Sequence, residues 1–399
     1  MIIVLADDIT GAAEIAGIAL SEGRNTLLTM NRLPQNANGA DVVVVATDIR
    51  SGDSSNAKKE TERLCHEIHE MKINSKENIE IFKKTDSVLR GHISTELLSL
   101  TEGLGVKRSL LVAQNPSKGR VIRNGIYYVD DIPLDETMFR KDPEFPALSS
   151  KACELVGKNC CRSLALGEEY VDEADGIILI ADAANIADIE DLAKNVHEKT
   201  LAAGGADFFR EFLKQKYCSP TLSENGKEKA REVHDSVEIK GLSDIATAGK
   251  KILVVCGSTQ SKSIVDTALM RKRHAIEQGI PDNIFEGADP KVWIDSVSDN
   301  YLNAQAYILR VGEHNVKGAE YARRIRNVMA MAAKEMTRKA MPHFLVIEGG
   351  ATAFSVLERI GWTSFTVARE YAPGVVGMMH GKTEVILKPG SYPWGKLFD

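Results

Sequence analysis

The sequence predicts an α/β protein with two domains, each a mainly parallel sheet flanked by helices. Its 399 residues are more than a single hydrophobic core usually supports. Short apolar runs recur without the polar alternation of a half-exposed sheet, which is typical of strands covered on both faces. Amphipathic segments separate these runs, and strands that alternate with helices indicate parallel crossovers.

The apolar runs fall into two sets, one on each side of a polar segment. The first set is residues 2–6, 41–46, 79–83, 109–113 and 176–181, with helical patterns at 12–21, 55–71, 94–103 and 186–197. The second set is residues 251–256, 306–311, 344–348 and 384–388, with helical patterns at 261–278, 317–339 and 353–360. We therefore expect domains at residues 1–220 and 251–399, joined by the lysine- and glutamate-rich segment 221–250.

A stretch near the middle of the first domain lacks strong periodicity and is rich in proline. It covers residues 115–147 and contains four of the 12 prolines. A connection of this length inside a compact domain is usually functional. We expect it to fold over one edge of the first domain.

Composition and charge exclude several classes of protein. A formal net charge of -6 argues against a nucleic-acid binder, although a few local cations could still bind a small anion. The six cysteines show no metal-ligand spacing and fit reduced thiols in the cytosol. No apolar run approaches the ~18 residues of a membrane span, and the opening run is too short for a signal sequence. We expect a soluble cytoplasmic protein with neither a membrane nor a nucleic-acid partner, while a homo-oligomer stays open.

The first candidate site is the acidic loop Asp-Asp-Ile-Thr-Gly at residues 7–11, directly after the first strand. Ligands of open α/β sheets bind at the carboxyl ends of strands. Asp7 and Asp8 could accept substrate hydroxyls, hold a metal or act as a general base. The alternative is helix capping, which explains one acidic residue but not two.

Two more candidates follow other strands of the same domain. Residues 83–92 begin with two lysines and contain Asp86, Ser87 and Arg90, which could clamp a carboxylate together with hydroxyls. Asp48 and Arg50 follow the second strand and would share the same crevice. The alternative for each loop is a solvated surface with an ordinary ion pair.

Glycine turns in the second domain are the fourth candidate. Cys-Gly-Ser-Thr at residues 256–259 and Glu-Gly-Gly-Ala-Thr at 348–352 each end a strand and begin a helix. Such turns let the backbone approach a phosphate and expose amides to it, although Gly-Ser and Gly-Gly also occur in ordinary turns. Lys-Pro-Gly at 388–390 is a third turn of this kind. Neither helix-starting turn is a Walker A loop.

Taken in order, these motifs resemble the four-carbon acid sugar kinases. The order is A-D-D-x-T-G, D-x-R, K-x-D-S-x-L-R-G, G-R, G-S, G-G-x-T and K-x-G, and it spans nearly the whole chain. The resemblance implies a sugar-acid-binding N-terminal domain, a nucleotide-binding C-terminal domain and an active site in the cleft between them. It implies ATP-dependent phosphorylation of the terminal hydroxyl of threonate, erythronate or 3-oxo-tetronate.

The resemblance also assigns roles to individual positions. The residues implied to bind substrate are Asp7, Asp8, Arg50, Lys84, Thr85, Asp86, Ser87 and Arg90. Those implied to bind nucleotide are Ser258, Gly349, Gly350, Ala351, Thr352 and Gly390. The sequence departs from the family pattern at Val88, at Ala351 and at the Tyr-Pro pair of residues 392–393.

These assignments lead to a mechanism and to a competing function. We expect Arg50 and Lys84 to hold the substrate carboxylate, and Asp8 and Asp86 to orient hydroxyls, with one of the two acids accepting a proton. Magnesium would arrive with ATP, bound largely by phosphate oxygens and water. The alternative is a nucleotide-gated sugar-acid sensor with little turnover. A receiver-like acidic pocket does not fit a chain with a second glycine-turn domain.

Overall fold

The computed structural model describes residues 1–37, 39–75, 78–142, 144–170, 175–218, 242, 249–257, 267–312, 318–390 and 392–398. The strands are β1 (Ile2–Ala6), β2 (Thr26–Met30), β3 (Val42–Ala46), β4 (Glu80–Lys84), β5 (Arg108–Val112), β6 (Arg120–Arg123), β7 (Ile126–Val129), β8 (Ile132–Pro133), β9 (Cys161–Leu164), β10 (Ile178–Ala181), β11 (Thr200–Gly204), β12 (Ile252–Cys256), β13 (Ile276–Gly279), β14 (Ala306–Arg310), β15 (Phe344–Glu348), β16 (Ser364–Ala372), β17 (Val375–His380) and β18 (Thr383–Lys388).

Helices connect most of these strands. They are α1 (Ile9–Ser21), α2 (Ser54–Ser75), α3 (Ile93–Leu104), α4 (Ala152–Val156), α5 (Ile186–Lys194), α6 (Ala206–Cys218), α7 (Ala268–Lys272), α8 (Asp282–Phe285), α9 (Lys291–Asn303), α10 (Ala319–Lys339) and α11 (Gly350–Ile360). Single 3-10 turns occur at Ile49–Ser51, Pro116–Lys118, Leu134–Glu136 and Met138–Lys141. Among the described residues, no helix is long and apolar enough to cross a membrane.

The chain divides into two compact units. Unit 1 is Met1–Asn25 with Asn31–Ala230, and unit 2 is Thr26–Met30 with Arg231–Asp399. Each is an α/β structure whose sheet is mostly parallel, as the sequence predicts. The predicted connecting segment 221–250 lies almost entirely outside the described residues.

The sheet of unit 1 is parallel throughout, in the order β3-β1-β4-β11-β5-β10-β9. Its inner strands are buried on both faces; all five residues of β1, for example, are at most 3% exposed. Ala6 of β1 lies beside Ala46 of β3 on one side and Lys84 of β4 on the other. The three strands therefore end at one level, and the loops after them leave the sheet together.

The proline-rich segment forms a small antiparallel sheet of β6, β7 and β8 with 3-10 turns. Ile122, Tyr127 and Leu134 are fully buried in the same core as Val88 and Ile93, which follow β4. This packing fixes the segment against the loop that the sequence marks as a binding loop.

The sheet of unit 2 combines a parallel and an antiparallel part. Strands β13, β14, β12, β15 and β18 run parallel, and β17, β16 and β2 continue the sheet antiparallel. Cys256 of β12 lies beside Glu348 of β15, which lies beside Lys388 of β18. The turns after these three strands consequently emerge next to one another.

One predicted helix is partly wrong. The pattern at residues 261–278 predicts one helix, but residues 276–279 form the edge strand β13, and part of the range lies outside the described residues. Helix α7 ends at Lys272, and His274 has a φ of 49°, which a helix does not accommodate. Glu277 then pairs with Arg310 of β14 at 2.8 Å, so sheet pairing overrides the local helical pattern.

Candidate active site

The carboxyl ends of β1 and β4 form the switch point of the sheet in unit 1. From β1 the chain passes to β3 on one side, and from β4 it passes to β5 on the other. Open α/β sheets bind ligands in the crevice outside such a point. The loops that begin at Asp7 and Thr85 lie there.

The two acids after β1 have different environments. Asp8 is the N-cap of α1, and its Oδ1 accepts a hydrogen bond from Gly11 N at 2.5 Å. A β-carbon on Gly11 would lie 2.9 Å from that oxygen, so the close approach requires glycine. Asp7 does not cap the helix and is only 1% exposed. Capping therefore accounts for one of the two acids.

Arg50, which follows β3, joins three acids from the loops after β1 and β4. Its Nε lies 2.7 Å from Asp7 Oδ2, and its Nη1 lies 2.5 Å from Asp8 Oδ2 and 3.4 Å from Asp86 Oδ1. Burial opposes ionisation of Asp7, but the charges of Arg50 and Lys83 outweigh it and hold the pKa of Asp7 below its ordinary value. Asp48 instead accepts a hydrogen bond from Ser51 at 2.7 Å.

Asp86 is held by a second arginine. Arg90 donates to both oxygens of Asp86, from Nε at 3.0 Å and from Nη2 at 2.9 Å, and its Nη1 binds Asp142 at 3.0 Å. Burial would raise the pKa of Asp86, yet Arg50 and Arg90 hold it far below the ordinary value. Asp86 is thus a structural anion whose oxygens are largely taken.

Two lysines, Lys84 and Lys118, lie beside the carboxylate of Glu14 in α1. Lys84 is buried, donates to Thr85 O at 2.8 Å, and has its Nζ 3.9 Å from Glu14 Oε2. Lys118, from the proline-rich segment, binds the other oxygen of Glu14. Two ammonium groups therefore flank one anionic side chain.

A buried ion pair joins β4 to helix α3 next to the site. Lys83 Nζ lies 2.6 Å from Glu96 Oε2, and both side chains are at most 3% exposed. Burial raises the pKa of Glu96, while Lys83 opposes that rise. Because the charge of Lys83 also lowers the pKa of Asp7, the Lys83–Glu96 pair contributes to the electrostatics of the site.

Ser87 connects the binding loop to the proline-rich segment. Arg120 Nη1 donates to Ser87 Oγ, and the Tyr127 hydroxyl donates to Ser87 O. Within the described residues, Asp7 Oδ1 and Thr85 Oγ1 are buried without a hydrogen-bond partner. Buried polar atoms are ordinarily satisfied, so these two atoms suit a polar ligand or water.

The glycine turns of unit 2 lie next to one another because β12, β15 and β18 are neighbouring strands. Gly257 N donates to Glu348 O at 3.1 Å, and Gly349 N donates to Lys388 O at 2.9 Å. A β-carbon on Gly257 would lie 1.9 Å from Thr352 Oγ1, so only glycine fits. Ser258 lies outside the described residues.

The third turn of unit 2 is tied to the second by a buried ion pair. Lys388 Nζ lies 2.5 Å from Glu348 Oε1 and 3.3 Å from Gly390 O. Helix α11 begins at Gly350, with Ala351 and Thr352 in its first turn, and no side chain caps it. The first backbone amides of α11, which no side chain caps, and the turn at Gly390 therefore follow the neighbouring carboxyl ends of β15 and β18.

Six residues of the site in unit 1 are absent from the sequence assignments. They are Glu14, Glu96, Lys118, Arg120, Tyr127 and Asp142. The sequence motifs did point to Arg120, because it belongs to the G-R element of the motif order. Contacts such as that of Arg90 with Asp142, 52 positions apart, leave no local pattern to find. Among the described residues, no cluster of His, Cys, Asp and Glu could hold a metal ion.

Comparison with known proteins decides the family. The family described as "Sugar-binding N-terminal domain" matches residues 2–212, which is more than half of the chain. The chain belongs to this family. The matched region contains Asp7, Asp8, Arg50 and Asp86, which together form the cluster around Arg50.

Relatives extend this likeness across both units. The 3-oxo-tetronate kinase of Brucella melitensis is 24% identical over 93% of this chain and 88% of its own length. The D-threonate kinase of Salmonella typhimurium is 23% identical over 93% of this chain and 89% of its own. The D-erythronate kinase of Heliobacterium modesticaldum is 27% identical over 52% of this chain and 50% of its own. The resemblance to the four-carbon acid sugar kinases is confirmed.

Solved structures share the fold of this chain. A protein from Salmonella typhimurium has a TM-score of 0.74 at 17% identity, covering 100% of this chain and 97% of that one. A protein from Haemophilus influenzae has a TM-score of 0.66 at 19% identity, covering 99% and 98%. At these identities the likeness concerns the fold alone.

Proposed function

We propose that this chain is an ATP-dependent kinase that phosphorylates the terminal hydroxyl of a four-carbon sugar acid. The observation that carries the proposal is the cluster around Arg50, where anionic and cationic side chains meet at the switch point of a sugar-binding domain. A polyhydroxy acid offers a carboxylate to cations and hydroxyls to carboxylates, which matches this mixture. The names of the relatives support the reaction class.

Lys84 and Lys118 are the best candidates to hold the substrate carboxylate. Their ammonium groups already flank the carboxylate of Glu14, and a substrate carboxylate would present the same chemistry. Arg50 is less suited to this role than the sequence suggests, because three protein carboxylates surround its guanidinium. We propose that Arg50 instead keeps Asp7, Asp8 and Asp86 in place.

Asp8 is the better candidate to accept the proton of the attacking hydroxyl. Its side chain is 21% exposed, against 8% for Asp86, so a substrate can reach it. Asp86 has both oxygens bound by Arg90 and a strongly depressed pKa, which makes it a weak base. The unpartnered Asp7 Oδ1 and Thr85 Oγ1 would bind further hydroxyls of the substrate.

The turns of unit 2 suit the phosphates of ATP. Gly257 leaves no room for a side chain beside Thr352, and the uncapped start of α11 offers amides to an anion. Gly349, Gly350, Ala351, Thr352 and Gly390 would line this position. Magnesium bound to the phosphates would neutralise their charge. That both ligands meet in a cleft between the domains stays a prediction from the sequence.

A panel of acids tests the proposal. The purified chain is incubated with ATP, magnesium and threonate, erythronate or 3-oxo-tetronate, and ADP is measured against a reaction without acid. We expect acid-dependent ADP with at least one of these acids. Binding of an acid, measured by calorimetry, without ADP from any of them would favour the sensor. Absence of both binding and ADP would remove the sugar acid as ligand.

A further inference from the structure

Three cysteine sulfurs converge beside helix α4 and strand β9, away from the cluster around Arg50. Cys161 Sγ lies 3.3 Å from Cys153 O and 3.1 Å from Gly157 O, and Cys160 Sγ lies 3.2 Å from Gly157 O. Nothing in the proposed phosphoryl transfer uses them. Their proximity raises the question of whether any two can react with each other.

Cys153 and Cys161 are the pair in direct contact. Cys161 Sγ lies 3.3 Å from Cys153 O, and Cys153 Sγ lies 3.5 Å from the Oγ of Ser163, two positions beyond Cys161. Both residues are partly exposed, whereas Cys65 and Cys256 are buried. An oxidant in solvent can therefore reach the pair more readily than it can reach these two buried thiols.

We propose that Cys153 and Cys161 form a reversible dithiol–disulfide pair whose oxidant is a peroxide. The thiolate of Cys153 attacks the peroxide, so that one oxygen is transferred to sulfur and the other leaves as water or an alcohol after protonation. The Cys161 sulfur then displaces the hydroxyl from the sulfenic acid of Cys153, which forms the disulfide and releases water. Overall two thiols lose two hydrogens, and one peroxide is reduced; a small thiol reverses the reaction by exchange.

The protonation of the pair agrees with this assignment of roles. The neighbouring Cys161 thiol lowers the pKa of Cys153 to about 6, and Ser163 and Arg162 act in the same direction, while burial opposes them. Cys153 and burial raise the pKa of Cys161. Cys153 is therefore the more readily ionised of the two, and the thiolate is the reactive form. Burial raises the pKa of Cys65 and of Cys256, which makes both poor competitors.

Peptide mapping of the whole chain tests the pair directly. The protein is treated with hydrogen peroxide for increasing times, free thiols are alkylated, and the peptides are identified by mass spectrometry. We expect Cys153 to lose alkylation at least about tenfold faster than Cys65, with a peptide linked between Cys153 and Cys161 that dithiothreitol releases. Equal rates at Cys153 and Cys65, or links formed mainly through Cys160, would overturn the proposal.

Two variants sharpen the result. Cys160→Ser keeps the proposed pair and should give the same linked peptide at the same rate. Cys161→Ser removes the second sulfur, so Cys153 should stop at the sulfenic acid, which dimedone present during the oxidation traps as an adduct. If Cys161→Ser gave no dimedone adduct at Cys153, the order of the two steps would be wrong. Because the wild-type map carries the main result, a misfolded variant does not decide the test.

The cysteine pair lies next to the hairpin of β6 and β7, which contacts the candidate site. Ala152 N donates to Gly125 O at 2.9 Å, Gly125 packs against Ser163, and the same hairpin carries Arg120 and Tyr127 to Ser87. We expect the disulfide to weaken acid binding at least about twofold, a consequence that rests on the proposed function. Calorimetry of oxidised and reduced wild type should show the change, and Cys153→Ser should not. Equal affinities in wild type would overturn this consequence, while the peptide map still decides the pair itself.

Discussion

Arg50 Nε donates to Asp7 Oδ2 at 2.7 Å, so a residue that follows β3 holds a fully buried carboxylate that follows β1. The same guanidinium reaches Asp8 and Asp86, and this makes Arg50 the common partner of three acids. A planar fork of donors can serve several carboxylates at fixed positions, which a lysine cannot do. The loops of three neighbouring strands are thereby locked to one geometry.

Replacement of Arg50 should therefore affect both activity and stability. In Arg50→Ala the three carboxylates repel one another, and we expect kcat/KM to fall at least about 100-fold because the acids move. Arg50→Lys restores one positive charge and should recover part of the stability but little of the activity. Steady-state kinetics and thermal melting of both variants provide the check. Full activity in Arg50→Lys would show that charge alone suffices.

Asp8→Asn separates the chemical role of Asp8 from its role as a helix cap. Asparagine caps helices as well as aspartate does, so the melting temperature should stay close to that of the wild type. Loss of a general base should lower kcat by about 10²–10⁴-fold. Kinetics at saturating ATP measure the effect. A variant with normal kcat would leave Asp8 as a cap only.

Lys83→Met should be strongly destabilising, because it leaves Glu96 buried without its partner. We expect a loss of about 3–5 kcal/mol in the free energy of unfolding, measured by urea denaturation. The double variant Lys83→Met/Glu96→Leu removes both charges and should recover most of that loss. If the double variant were as unstable as the single one, the cost would come from packing and not from an unpaired charge.

Gly257→Ala should disrupt the proposed nucleotide position. Its β-carbon would meet Thr352 at 1.9 Å, so either the turn after β12 or the first turn of α11 has to move. We expect ATP affinity to fall at least about tenfold while acid binding in unit 1 is retained. Gly279→Ala is the matched control, since its β-carbon meets only Gly312 at 3.8 Å. Unchanged ATP binding in Gly257→Ala would exclude this turn from the nucleotide site.

The strongly depressed pKa of Asp86 predicts how stability depends on pH. A carboxylate with a folded-state pKa below its unfolded value of about 3.9 contributes stability above that value and loses it as pH falls towards the folded pKa. Asp86→Asn should therefore lower the urea midpoint at pH 7, and the difference from wild type should shrink as pH falls below about 4. A difference that stayed constant down to pH 3 would contradict the assignment.

Sequence patterns predicted the elements that are apolar throughout. Residues 2–6 and 344–348 are continuous apolar or nearly apolar runs, and β1 and β15 have the predicted bounds. Strand β17 was missed although residues 375–378 are apolar and buried. The antiparallel strand β16 was missed because its exposed face is polar, with Thr366 and Arg369 outward. A pattern that searches for buried runs does not detect strands of this kind.

The candidate site was partly predictable for the same reason. Asp8, Arg50 and Asp86 each follow a recognisable strand, so the sequence could place them at one edge of a sheet. Glu96 and Asp142, which pair with Lys83 and Arg90, come from a helix and from an irregular segment. Only the folded chain brings these residues to the strand ends, and no spacing in the sequence marks them.

Strand β2 has a practical consequence for anyone who wishes to study the units separately. Thr26–Met30 groups with unit 2 and pairs with β16 through Leu28 and Phe365. A fragment that begins after residue 230 would lack this strand and leave the edge of β16 bare, which favours aggregation. A fragment that ends there would carry the buried strand β2 without its partner β16. Fragments of either unit should therefore exchange, supply or delete these five residues, because no single cut separates the two folds.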